Sequence, residues 1–124
     1  MTPSVHHRLP YILIAVVLGL IGTAFAADDA LIQQLRETRK CTLCDLSGAQ
    51  LSGFNLEGVD LSGSDLHDAR MYGTNLRGAT LAGTILDGAD LKLADLTGAT
   101  DAALAGAITD DRTICPSGDH GPCQ

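Results

Sequence analysis

The chain has no tryptophan, and only two tyrosines and two phenylalanines among its 124 residues. So few rings leave no platform on which nucleic-acid bases could stack in succession. The formal charge of −7 likewise offers no basic stripe for phosphates, so non-specific nucleic-acid binding is disfavoured. No GxGxxG or GKS/T loop occurs, and no serine stands at a sensible spacing from a base, so phosphate cradles and catalytic triads have no footing. The one long apolar run, Tyr11 to Ile21, falls short of the roughly 20 residues that a membrane-spanning helix needs. From Cys44 to Gly98 neither the 3.6-residue period of a helix nor the alternation of a strand is found. Gly recurs every fifth residue there and not every third, which excludes collagen.

What is there is a beat of five. Leu46, Leu51, Leu56, Leu61, Leu66, Leu76, Leu81, Leu86, Leu91 and Leu96 keep it, with Met71 in the one gap. In register the units are CDLSG, AQLSG, FNLEG, VDLSG, SDLHD, ARMYG, TNLRG, ATLAG, TILDG, ADLKL and ADLTG, eleven without an insertion. A unit this short buries its apolar residue only by stacking on the turns above and below, so the period dictates a solenoid. The central residue and the first residue of each unit are apolar or small, as befits a narrow core. The second, fourth and fifth positions face out. Gly takes the fifth position in nine of the eleven units, where a corner every five residues calls for positive φ.

These units resemble the pentapeptide-repeat family, whose motif is a small residue, Asp or Asn, Leu and two looser positions. The resemblance implies an all-β solenoid, a right-handed quadrilateral β-helix with four pentapeptides per coil. Eleven units then make about three coils, a plug on the order of 15 Å tall. Four departures matter. Phe54 and Val59 are bulky where Ala is usual, which implies a wider first coil; Asp68 and Leu93 replace corner glycines. After Gly98, Asp101 stands where Leu should, and Leu104 restores the beat late. This reads as a bulge over 101–103 that begins a cap.

Residues 1–26 read as a secretory leader: Arg8 precedes the apolar run, and Ala24-Phe25-Ala26 offers a small-x-small cleavage site. Residues 27–43 are then a capping helix and lead-in, 44–108 the solenoid, and 109–124 a disulfide-closed tail. The helix is expected from Asp28 to Lys40, with Asp28 and Asp29 as caps, Leu31, Ile32 and Leu35 as its apolar stripe, and Arg36, Arg39 and Lys40 near its negative end. It would close the lower mouth of the tube against end-to-end stacking.

Four cysteines in an exported domain of this size read as two disulfides, for which three connectivities exist. If a tube holds its ends apart, only Cys41 with Cys44 and Cys115 with Cys123 come within reach. Two chemical alternatives compete. Cys41-Thr-Leu-Cys44 has the CxxC spacing of redox sites, and Cys115, His120, Cys123 and Asp119 could ligate zinc. Asp45 stands where haem attachment would need His, so haem is excluded.

Stacking by twenty residues places Glu57 beside Arg77, Asn55, Asn75 and Asp95 in one column, Asp45 and Asp65 in another, and His67 near Asp68 and Asp87. All fifteen acidic residues lie beyond residue 26. Some cytosolic members of the resembling family protect DNA gyrase by mimicking DNA with a long acidic tube; the leader, few coils and cysteine-closed tail point away from that role. The expectation is a non-catalytic exported scaffold or protein-interaction module without cofactor or metal. Its partner would be a protein, not nucleic acid, and its capped ends favour a monomer, with a dimer through a flat face as the alternative. The compartment would be the periplasm, or the thylakoid lumen of a photosynthetic source. The competing expectation is a redox- or metal-responsive protein acting through Cys41 and Cys44 or through Cys115, His120 and Cys123.

Overall fold

The computed structural model describes residues 23–124. The expected leader, 1–26, lies outside them except for its last residues, which begin helix α1, Thr23–Thr38. This stretch carries no Gly or Pro and is rich in Ala, with Leu and Gln beside it, all of which favour helix. Its start corrects the expected boundary: Asp28 and Asp29 lie in the second turn and not at the helix start, and Arg39 and Lys40 lie beyond the end. The helix stops where Arg39 turns left-handed at φ 56° and its N–H reaches back to the Leu35 carbonyl. Leu35 is fully buried, and Leu31 and Ile32 pack against the core.

From Lys40 onward the chain turns every five residues and returns above itself every twenty. Parallel bridges join Lys40 to Asp60, Asp60 to Thr80 and Thr80 to Thr100; Asp45 to Asp65 and Asp65 to Ile85; Gln50 to Arg70, Arg70 to Asp90 and Asp90 to Ile108; and Asn55 to Asn75, Asn75 to Asp95 and Asp95 to Ile114. These four columns are the faces of a square tube. The central residues of the first face are Cys41, Leu61 and Leu81; of the second, Leu46, Leu66, Leu86 and Leu104; of the third, Leu51, Met71 and Leu91; of the fourth, Leu56, Leu76 and Leu96. Each of these thirteen side chains is buried.

One repeating hydrogen-bond set holds the layers together. The central and corner N–H groups donate upward, as from Leu46 to the Asp65 carbonyl and from Gly48 to the His67 carbonyl, both 2.8 Å. The second-position N–H donates downward, as from Asp65 to the Cys44 carbonyl at 2.9 Å. Corners close with a bond from the next unit's first N–H to the central carbonyl, as from Ala49 to Leu46 at 3.0 Å. Such a turn needs positive φ at its third residue. Gly78 has φ 64°, and the non-glycine corners Asp68 and Leu93 adopt 56° and 61°.

Inside, the first-position hydroxyls add a second ladder. Ser64, Thr74, Thr84 and Thr113 are buried, and each donates to the central carbonyl one layer below and one face back: Cys41, Leu51, Leu61 and Leu91. Buried polar groups in so narrow a core must be paired. Among the described residues, no buried side-chain polar atom lacks a partner.

The coil count corrects the expectation of about three. Bridges stack four layers on three of the faces. One extra unit precedes Cys44: Arg39 to Leu43, with Cys41 in the central slot and Leu43 at the corner with φ 56°. The expected bulge at 101–103 is instead a shortcut. Asp101 turns the corner early at φ 54°, so Ile108 lies over Asp90 eighteen residues on, not twenty. Phe54 disturbs nothing in the ladder, since its carbonyl accepts from Asn75 at 2.9 Å. Its ring is half-buried under the Arg36 guanidinium of α1, 4.2 Å away.

Candidate functional site

With the inward slots filled by aliphatic and small side chains, the outward positions and the two ends carry the available chemistry. The second position explains its own preference for Asp and Asn. Its side-chain oxygen accepts the N–H two residues on, as from Ser47 to Asp45, Glu57 to Asn55, Ser62 to Asp60, His67 to Asp65, Arg77 to Asn75, Lys92 to Asp90 and Thr97 to Asp95. These are Asx turns, the local structures for which short acidic and amide side chains are suited. The Ser47 and Ser62 hydroxyls also donate at 2.6 Å to Asp45 and Asp60. Those hydroxyl bonds, with the backbone bonds beside them, hold both carboxyls below their ordinary pKa. Partial burial pushes Asp95 and Asp110 up, but hydrogen bonds outweigh it and both end below the usual value: Thr97 and Arg77 supply those to Asp95, and Leu93, Thr113 and Arg112 those to Asp110.

Asn55, Asn75 and Asp95 form one outward column, and Asp45 and Asp65 another. The expected neighbour of Arg77 is corrected. Its guanidinium pairs with Asp95 at 3.0 Å, not with Glu57, because the long side chain reaches up to the next layer's second position. His67 sits on the second face, with Nε2 3.2 Å from Asp68 Oδ2 and Nδ1 3.7 Å from Asp87 Oδ2. All three side chains are about half exposed or more, at 49%, 67% and 68%. The Asp68 and Asp87 side chains extend over the layer above, occupying the places a Cβ would take on Gly88 and Gly106. A side chain at either glycine would displace these carboxylates, and both glycines also hold positive φ, 71° and 81°.

At the lower end Cys41 and Cys44 are disulfide-bonded, with Cα atoms 5.5 Å apart. The bridge spans the Leu43 corner, and Cys41 is fully buried. At the upper end Cys115 and Cys123 are bonded, again with Cα atoms 5.5 Å apart. Ile114 and Pro116 accept from Leu96 and Gly98, which sets Cys115 over the Leu96 slot. An antiparallel bridge between Ile114 and His120 folds the tail back. With all four sulphurs in bridges, neither pair has thiolates for a metal. No group of three or more His, Cys, Asp or Glu among the described residues is placed to hold one. Two clefts flank the ends: one of about 570 Å³ beside the tail bridge, and one of about 450 Å³ between α1 and the first coil, lined by Ile32, Arg36, Gln50 and Phe54. Neither includes His67. No described helix is long and apolar enough to cross a membrane.

The sequence matches the family model described as pentapeptide repeats, in 8 copies over residues 44–81 and 74–108. A pentapeptide repeat protein from Nostoc Pcc 7120 is similar at 30% identity and a TM-score of 0.54, over 77% of this chain and 84% of that one. Another, involved in heterocyst differentiation regulation in Nostoc sp. strain PCC 7120, has 30% identity and a TM-score of 0.38, over 65% of this chain and 48% of that one. A third, from the Arabidopsis thaliana thylakoid lumen, has 22% identity and a TM-score of 0.21, over 61% of each chain. A search of curated proteins returned no match.

Proposed function

The chain belongs to the pentapeptide-repeat family, whose members are right-handed quadrilateral β-helices, and on that premise we propose that it is a non-catalytic, exported scaffold that binds a protein partner on an outer face. One observation carries the reading. From Leu46 to Leu96 every central side chain of the repeat is at most 2% exposed. A tube filled this way has no interior for a substrate, so it works through its surface. That surface is flat and carries more acidic than basic side chains, and its backbone groups are taken up by the layers above and below, which suits display better than chemistry.

The ends complete the proposal. Helix α1, through Leu31, Ile32 and Leu35, closes the lower mouth, and the tail hairpin closes the upper one, leaving a monomer whose layers do not add to a second copy. The cap and lead-in (27–43), solenoid (44–108) and tail (109–124) are proposed as the parts of the exported chain. The leader and the two cystines suit an oxidising compartment, the periplasm or a thylakoid lumen.

Expression of the full chain with a C-terminal tag tests this. Export predicts recovery outside the cytoplasm with Ala27 as the first residue; an uncleaved cytoplasmic product would overturn it. Binding predicts that in-compartment cross-linking captures a partner, and that charge reversals on one face abolish capture while those on the other three do not. Capture indifferent to all four faces would sink the scaffold reading.

A further inference from the structure

We infer that the Cys115–Cys123 bridge is a thiol-exchange site, opened by a dithiol reductant, whose reduction releases the C-terminal flap from the top of the tube. The two cystines differ in place. Cys41 is completely buried, so an attacking thiolate can meet the lower bridge only at the partly exposed Cys44 sulphur. Cys115 and Cys123 are both partly exposed and line the wall of the open cleft of about 570 Å³, together with Pro116, His120 and Pro122. Exchange requires a thiolate to approach a disulfide sulphur, so access decides which bridge reacts.

The flap beyond the bridge has few other ties. Past Gly118, the Asp119 carbonyl accepts from Cys115 at 2.8 Å, the Gly121 N–H donates to Thr113 at 3.1 Å, and the Cys123 N–H donates to the Thr109 hydroxyl at 3.1 Å. The Ser117 and Asp119 side chains bond to each other and not to the tube. By contrast, the corner bridged by Cys41 and Cys44 is tied into the second coil by Cys41, Leu43 and Asp65 N–H groups, and Ser64 bonds to both its cysteines. Opening the lower bridge leaves that corner stacked. Opening the upper one leaves a tail held by three hydrogen bonds.

The step balances with a dithiol protein as co-reactant. One of its thiolates attacks a bridge sulphur, the bond between the two cysteine sulphurs breaks, and the other cysteine leaves and takes a proton. The reductant's second thiol then displaces the first, giving two cysteine thiols and one disulfide on the reductant. Two electrons and two protons pass to the bridge. Release of the flap uncovers Leu104, Ala102 and the Thr113 carbonyl at the upper mouth, a redox-gated end surface separate from the faces proposed for partner binding.

The test is graded reduction of the full-length folded protein by dithiothreitol, with alkylation and mass mapping of each cysteine. Cys115 and Cys123 are expected to label together and at least tenfold faster than Cys41 and Cys44; equal rates, or earlier labelling of the lower pair, would overturn the proposal. Amide exchange in a Cys115→Ser/Cys123→Ser variant gives the second reading. Loss of the closed loop raises exchange at Gly121 and Cys123 by on the order of 70-fold on the loop-entropy estimate. Amides from Leu46 to Leu91 keep their protection. Collapse of protection throughout the repeats, or none lost in the flap, would refute the latch.

Discussion

Substituting Gly78 by Ala isolates the cost of a corner. Gly78 has φ 64°, and nothing lies within 4 Å of the position its Cβ would take, so no clash contributes. What remains is the backbone: a left-handed conformation costs an L-residue roughly 1–2 kcal/mol. The substitution also removes some freedom from the unfolded chain, which offsets part of this by ~0.4–1 kcal/mol. The net expectation is a loss of about 1 kcal/mol. For a domain near a hundred residues that is a fall of roughly 4–8 °C in Tm, measurable by circular dichroism melting and by urea titration at unchanged slope. Gly78→Asn is expected to lose less than Gly78→Ala, because Asn tolerates the left-handed region. Gly48 and Gly58 have the same open surroundings and φ of 66° and 67°, so their Ala variants should repeat the result. An unchanged melting point in all three Ala variants would refute the claim that the corners require positive φ. Losses above 3 kcal/mol would refute the claim that the space is empty.

Three further outcomes are expected. Leu76→Ala removes a fully buried side chain in a middle layer, and should cost on the order of 3–5 kcal/mol in urea titration; a cost below 1 kcal/mol would mean a loose interior. The carboxyls of Asp45, Asp60, Asp95 and Asp110 titrate below their ordinary range when folded, so the stability they contribute is complete above roughly pH 4 and is lost as pH falls through the folded values. Asp60→Asn keeps the Asx turn, as Asn55 and Asn75 do, and should flatten the acid limb of a stability–pH curve; an unchanged limb would contradict the assignment. Arg77→Ala breaks an exposed pair with Asp95 and should cost no more than about 1 kcal/mol, while Glu57→Ala should be neutral.

The middle of the tube was open to reading because its rule is local: each five-residue unit states its inward and outward positions, and the twenty-residue return follows from four corners. The ends obey other rules. Cys41, one pentapeptide before Leu46, marks a core slot of the entering turn, but Leu43 stands where Gly is usual at its corner, and it holds φ 56° inside the loop closed by Cys41 and Cys44. Asp101 looked like an insertion because Leu104 comes three residues after it, whereas the chain had cut a corner two residues early, a choice made by the layer below through Gly88 and Leu91 N–H groups bonding to Gly106 and Ile108. Arg77 was assigned its vertical neighbour, but a guanidinium on a long stem reaches diagonally. The boundary of α1 was misplaced since Asp28 and Asp29 resemble caps, while the helix formers before them extend the helix to Thr23. For the site, the columns of Asp and Asn were legible as columns. Their Asx-turn role was not, because it depends on where the N–H two residues on points after the corner forms.

Through-hydrogen-bond NMR couplings put the central claim to its most direct test. The stacked square tube predicts couplings from the Leu56 amide nitrogen to the Asn75 carbonyl carbon and from the Leu76 nitrogen to that of Asp95, corresponding to bonds of 2.8 and 2.7 Å. Couplings from these amides to carbonyls four residues earlier, or to none across a layer, would contradict it.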